Sequence, residues 1–119
     1  MAMELQEMVE DEVFSPALIA DALRTTRTEI ASTLGLGQDA FSRTARVRAP
    51  KTQTRLREMM EILRRVQAHT GCATLVAYAW FRSEPLPGLD CMTPDQLVRR
   101  GKAAYVHAYL DQVIAGGYA

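Results

Sequence analysis

The amino-acid sequence predicts an all-α protein, and three observations support that prediction. After Pro50, apolar residues recur at steps of three and four, which is the spacing of one helix face. These residues are Leu56, Met59, Met60, Leu63 and Val66. Residues typical of helix starts and ends punctuate the rest of the chain. No stretch alternates apolar and polar residues as a half-buried strand does.

Two helix starts are expected in the N-terminal part. Ser15 followed by Pro16 is typical of a cap and a first turn, so we expect a helix from there to about residue 23. Thr26 and Glu29 have the spacing of a capping box, which predicts a second helix. Gly35 is expected to end it in the left-handed conformation.

Residues 37–43 are then predicted to restart a helix, which makes residues 28–46 a helix-turn-helix. In such motifs the second helix enters the major groove of DNA, where Arg reads guanine and Gln reads adenine. Phosphate contacts by Lys position the protein without reading the sequence. The candidate DNA-binding residues are therefore Gln38, Ser42, Arg43, Arg46 and Lys51. The alternative is an exposed basic helix face that only packs or dimerises.

The charges of the chain cancel overall but are unevenly distributed along the sequence. The formal net charge is zero, which argues against a protein that binds polyanions over its whole surface. Residues 1–29 carry seven acidic and two basic side chains, whereas residues 43–65 carry eight basic and two acidic ones. A basic middle behind an acidic start indicates a charged partner, or is only the solvated face of a helix.

The C-terminal part is predicted to contain a long helix over residues 50–69 and further helices over 72–81, 94–100 and 102–115. Thr93 and Gln96 have capping-box spacing for the third of these four helices. The last helix carries more apolar residues than one inward stripe requires, Tyr105 and Tyr109 among them. It is therefore either deeply buried or covered on one side by a partner.

The C-terminal stretch carries a resemblance in an ordered set of residues: Trp80, residues 85–89, Thr93-Pro94 with Leu97, Gly101, and Gly116-Gly117-Tyr118-Ala119. This set resembles the toxin-binding domain of the MbcA/ParS/Xre family of bacterial antitoxins. In that family the partner is a RES-domain toxin that consumes NAD or uses it to modify a target. The resemblance implies an Xre-like helix-turn-helix in the N-terminal half. It also implies a toxin-binding set of Tyr105, Tyr109, Gly116, Gly117, Tyr118 and Ala119.

The expected organisation is a helix-turn-helix region (1–49), a connecting helix (50–71) and a toxin-binding bundle (72–119). The expected function is that of a type II antitoxin that blocks the toxin's active site and represses its own operon. Because helix-turn-helix proteins read paired half-sites, we expect a homodimer within a larger hetero-oligomer that also contacts operator DNA. One alternative is a stand-alone transcription regulator whose C-terminal bundle only dimerises, and another is a helical adaptor without a DNA role.

Catalytic and metal chemistry are not expected. His69 and His107 are the only histidines, and neither has a nucleophile or a ligand cluster nearby in sequence. Cys72 and Cys91 lack neighbours at zinc-ligand spacing and are interpreted as reduced thiols. We therefore expect no cofactor, no metal and no enzymatic activity. The absence of a long apolar run and of a signal-like start predicts a cytoplasmic protein without a membrane partner.

Overall fold

The computed structural model describes residues 9–10 and 13–116, and within them the chain is predominantly helical, which confirms the all-α prediction. The described part contains seven helices: α1 (Pro16–Ala22), α2 (Arg27–Thr33), α3 (Thr44–Val47), α4 (Pro50–Thr70), α5 (Thr74–Ser83), α6 (Pro94–Arg99) and α7 (Ala103–Ile114). Not one of these seven is both long enough and apolar enough to cross a membrane.

Helix α4 is the element on which the others pack. It contacts α3, which precedes it in the chain, and α5, α6 and α7, which follow it. All five apolar residues that predicted this helix are buried, and Ile62 is fully buried as well. The buried surface of α4 is thus wider than one stripe, because elements from both ends of the chain cover it. Buried side chains from α1 and α2 join those of α5 to α7 in a single core.

The predicted helix starts are confirmed by their hydrogen bonds. The Ser15 hydroxyl accepts a backbone N–H of α1, and the Thr26 hydroxyl accepts the Glu29 N–H at 3.1 Å. At α6 the Thr93 N–H donates to the Gln96 side-chain oxygen at 3.0 Å, whereas the Gln96 N–H donates to Asp95 Oδ1 at 2.9 Å. Each cap satisfies N–H groups that the first helical turn leaves without a partner.

The helix predicted over residues 37–43 is wrong, because this segment forms turns. The Ala40 N–H donates to the Gly37 carbonyl at 3.0 Å, three residues back rather than four. The Ser42 N–H and hydroxyl both donate to the Asp39 carbonyl, at 3.1 and 2.8 Å. Such local side-chain bonds offer the backbone an alternative to the helix. Regular helix resumes only with the four residues of α3.

A small hairpin that the sequence pattern did not predict precedes α1. Strand β1 (Val9–Glu10) pairs antiparallel with β2 (Val13–Phe14), and two residues are too few to show an alternating pattern. The Gln53 side chain of α4 accepts the Phe14 N–H at 2.8 Å and donates to the Phe14 carbonyl at 3.1 Å. The side-chain amide thus pairs with β2 as a neighbouring peptide would.

The connection over residues 84–93 is held by one buried side chain and its backbone. Leu86 is fully buried, and its N–H donates to the Met92 carbonyl at 3.0 Å. Three residues here have positive φ, namely Gly88, Asp90 and Cys91. These bends return the chain to the start of α6 and leave residues 87–89 beside α7.

Candidate functional site

Two adjoining depressions of about 360 and 220 Å³ lie around the connection between α2 and α3. Both are lined by Arg27, Phe41 and Ser42. Arg43 belongs to the larger depression and Gln38 to the smaller one. Among the described residues, no Asp or Glu lines either of them. We call the two depressions together the basic cleft.

The structure divides the predicted DNA-binding residues between two places. Gln38, Ser42 and Arg43 lie in the basic cleft. Arg46 and Lys51 line a separate depression of about 270 Å³. The five residues therefore do not form one face of a recognition helix, since the first three lie within the turns that replace it.

Arg46 is engaged in an ion pair. Its Nη1 lies 2.7 Å from Asp39 Oδ2, and both side chains are more than half exposed. Such an exposed pair contributes at most about 1 kcal/mol to stability. It nevertheless gives the guanidinium a partner within the protein, so Arg46 must leave Asp39, or share it, before it can contact DNA.

Arg27 is the residue of the basic cleft that sequence reasoning missed. It occupies the first position of α2 and lines the same depression as Ser42 and Arg43. Neither Arg27 nor Arg43 forms an ion pair with another described residue. No local sequence signal marks Arg27, because its position in the cleft depends on how the chain returns sixteen residues later.

Helix α7 is buried on one side and exposed on the other. Its buried residues are Ala103, Val106 and Leu110. Tyr105 is 51% exposed and Ile114 is 41% exposed. The alternative that this helix is deeply buried on all sides is therefore wrong.

A groove of about 300 Å³ runs between α7 and the connection before α6, and we call it the apolar groove. Its lining residues are Pro87, Gly88, Leu89, Tyr105, Ala108, Tyr109 and Gln112. The groove brings two predicted toxin-binding residues together with the proline-containing loop that contributed to the resemblance. The Lys102 ammonium lies 5.7 Å from the Tyr105 ring centroid, a cation–π contact at the edge of this surface.

The predicted tail residues are only partly located. Gly116 is exposed, with φ of 107°, just after the end of α7. Gly117, Tyr118 and Ala119 lie outside the described residues. The structure thus places three of the six predicted toxin-binding residues along α7 and its end.

A polar cluster joins α7 to α4 beside the core. Arg65 of α4 donates to Asp111 at 2.6 Å and lies 3.0 Å from His107 Nδ1. Because a guanidinium can only donate, His107 Nδ1 is the acceptor in this contact. The cluster ties α7 to α4 and gives His107 a structural role. Within the described chain, no group of three or more His, Cys, Asp or Glu is arranged to hold a metal ion.

Comparisons of the chain with protein-family models, with curated proteins and with solved structures found no match. The function therefore has to be inferred from the residues themselves and from their arrangement.

Proposed function

We propose that the protein is the antitoxin of a type II toxin–antitoxin pair and inhibits a RES-domain toxin that uses NAD. The resemblance of the C-terminal residues to the MbcA/ParS/Xre toxin-binding domain supports this proposal. The observation that carries it is the apolar groove. Two of the residues expected to bind the toxin, Tyr105 and Tyr109, line this groove together with residues 87–89 of the resembling loop.

The exposed face of α7 has the chemistry of a protein interface. A tyrosine that is 51% exposed offers a large ring and a hydroxyl, and tyrosine is common among residues that dominate binding energies. The groove beside it can receive an apolar side chain of the toxin. Burying that surface stabilises the complex by about 25 cal/mol per Å² of apolar area, before the costs of association are subtracted.

Residues 116–119 are proposed to enter the toxin's active site. The resemblance implies a toxin pocket shaped for NAD, an anionic dinucleotide. Gly116 and Gly117 have no side chains, so this part of the chain fits a narrow opening, although ordering it costs entropy. Tyr118 would then occupy apolar space in that pocket and exclude NAD.

The proposal is tested by rescue of cells that express a RES-domain toxin encoded beside this protein. NAD turnover by that toxin is measured in parallel. Tyr105→Ala should lose inhibition, whereas its own unfolding free energy should change by no more than about 0.5 kcal/mol, as is usual for surface positions. Leu18→Ala is the matched control, because Leu18 is also an exposed apolar side chain, at 37%, but lies on α1. It should rescue as the wild type does.

Deletion of residues 116–119 separates the tail from the groove. The shortened protein should keep its thermal melting curve and bind the toxin through α7, but NAD turnover should return. Full inhibition by the shortened protein would mean that the tail does not block the active site, and that the α7 face alone neutralises the toxin.

We also propose that the protein represses its own operon through Gln38, Ser42, Arg43, Arg46 and Lys51. Without a helix over residues 37–43, the first three would contact DNA from a turn. Arg43→Ala should weaken operator binding by about 1–3 kcal/mol, and Lys51→Ala should weaken binding to any sequence and flatten its salt dependence. Gel shifts with the region upstream of its own gene test the proposed repression.

Inhibition of a toxin, and not DNA binding, separates the antitoxin from the stand-alone regulator. The antitoxin requires the toxin to bind through Tyr105. A protein that shifts its operator, but inhibits no RES-domain toxin encoded beside it, would be the stand-alone regulator instead.

A further inference from the structure

One end of the basic cleft offers the groups that bind phosphate. Arg27 comes from the first turn of α2 and Arg43 from the residue before α3, so two separate elements each contribute an arginine to the lining of one depression. A guanidinium is a planar fork of donors that matches phosphate oxygens. Arg48 lines the same depression but already has an interaction of its own. The proposed phosphate site is therefore assigned to Arg27 and Arg43 alone.

The other end of the basic cleft offers groups that suit a base. Gln38 and Thr28 line the smaller depression, and a Gln amide presents both a donor and an acceptor to a base edge. Phe41 lines both depressions and is anchored in the core at 7% exposure. It therefore offers a ligand only a small part of its ring, as a fixed apolar contact between the phosphate end and the base end.

The shape of the cleft favours an unpaired nucleotide over a duplex. The larger depression, about 360 Å³, falls within the range of small-ligand pockets. A base inside a duplex is stacked and paired, so it reaches a recessed site only after it is taken out of the stack. A free nucleotide, or one in a single strand, enters without that cost.

We infer that the basic cleft binds a nucleotide, with the phosphate at Arg27 and Arg43 and the base against Phe41 beside Gln38. A free nucleoside monophosphate and a nucleotide within a single strand share this chemistry. The cleft shares no lining residue with the apolar groove, so the inference does not depend on the proposed inhibition of a toxin. It does share Gln38, Ser42 and Arg43 with the proposed operator contacts, and binding of the duplex alone would favour that role over this one.

The test is calorimetric titration of the full chain at low salt with four probes: adenosine 5′-monophosphate, inorganic phosphate, a short single-stranded oligonucleotide and the corresponding duplex. Arg27→Gln and Arg43→Gln should each weaken nucleotide binding about tenfold or more, because each removes a charge-assisted hydrogen bond. Gln38→Ala should weaken binding of the nucleotide but not of phosphate. Arg57→Gln is the matched control, since Arg57 is exposed on α4 and lines neither depression of the cleft.

Each outcome decides the proposal. Binding of the monophosphate that is lost in both arginine variants, and kept in Arg57→Gln, supports a free nucleotide as the ligand. Binding of the single strand alone, with the same dependence, assigns the cleft to a strand. Equal affinity for phosphate and the monophosphate, binding of the duplex alone, or equal loss in Arg57→Gln would overturn it, as would no binding of any probe.

Discussion

Two connections of equal length produce two different surfaces in this protein. One joins α2 to α3 over residues 34–43, and the other joins α5 to α6 over residues 84–93. Each is ten residues long, and each contains a glycine with positive φ, Gly35 in the first and Gly88 in the second. Neither the length nor the presence of a glycine with positive φ therefore accounts for the difference between them.

The difference comes from the side chains that each connection leaves outside the core. Both insert an apolar anchor, Phe41 in the first and Leu86 in the second. The first connection then leaves Arg43 facing a cleft with Arg27, whereas the second leaves Pro87 and neighbouring apolar atoms beside α7. One connection thus offers charge to an anion, and the other offers apolar area to a protein.

The largest effect is expected from removing the anchor of the second connection. Leu86→Ala should lower the free energy of unfolding by about 2–5 kcal/mol, because Leu86 is fully buried and its loss leaves a cavity. Urea denaturation measures this change. Leu89→Ala in the same connection is the control and should cost less, since Leu89 is only partly buried. Equal losses in the two variants would mean that Leu86 is not the anchor.

A middle-sized effect should distinguish the two glycines. Gly88→Ala should cost about 1–2 kcal/mol for placing a side chain in the left-handed region, since no atom lies within 4 Å of the new Cβ. Gly35→Ala should cost more, because its Cβ would lie 2.8 Å from Arg99 Cγ. Adding Arg99→Ala to Gly35→Ala should reduce the excess in thermal melts, because Arg99 Cγ and Cδ are removed while Cβ stays 3.2 Å from the new methyl group. An excess that does not shrink would show that Arg99 is not its source.

The smallest effect concerns the ion pair on the first connection. Asp39→Ala should destabilise the protein by about 0.2–1 kcal/mol, because the bond to Arg46 is exposed. The difference from the wild type should shrink as salt is added, since the charges are screened. Asp21→Ala removes another exposed carboxylate, on α1, and serves as the control. A loss that does not depend on salt would show that Asp39 acts through the turn and not through the pair.

The helices were predictable because their signals are local. A cap such as Thr26 or Thr93 bonds to a backbone or side-chain group within three residues, so the sequence shows both partners together. The apolar spacing of α4 likewise lies within single turns of one helix. The error over residues 37–43 has the same origin, because the bonds from Ser42 to Asp39 compete at the same short range and were not recognised.

The candidate sites were predictable only in part. Tyr105 and Tyr109 were identified from an excess of apolar residues on one helix, and the apolar groove contains both. Arg27 was missed because nothing near it in sequence marks it as part of a cleft. Arg46 was placed with Arg43 by helical spacing, and the loss of that helix separated them.

The sequence by itself determined the fold class, the starts of α1, α2 and α6, and the apolar face of α4, because each depends on residues within about one helical turn. The tertiary structure decided which side of α7 is exposed, because Ala103, Val106 and Leu110 pack into the shared core. Arg65 of α4 adds contacts to His107 and Asp111, more than forty residues away. The tertiary structure also decided that Arg27 meets Arg43 and that residues 87–89 meet α7. These surfaces arise between segments distant in the chain, where burial of the shared core fixes the relative positions of the elements.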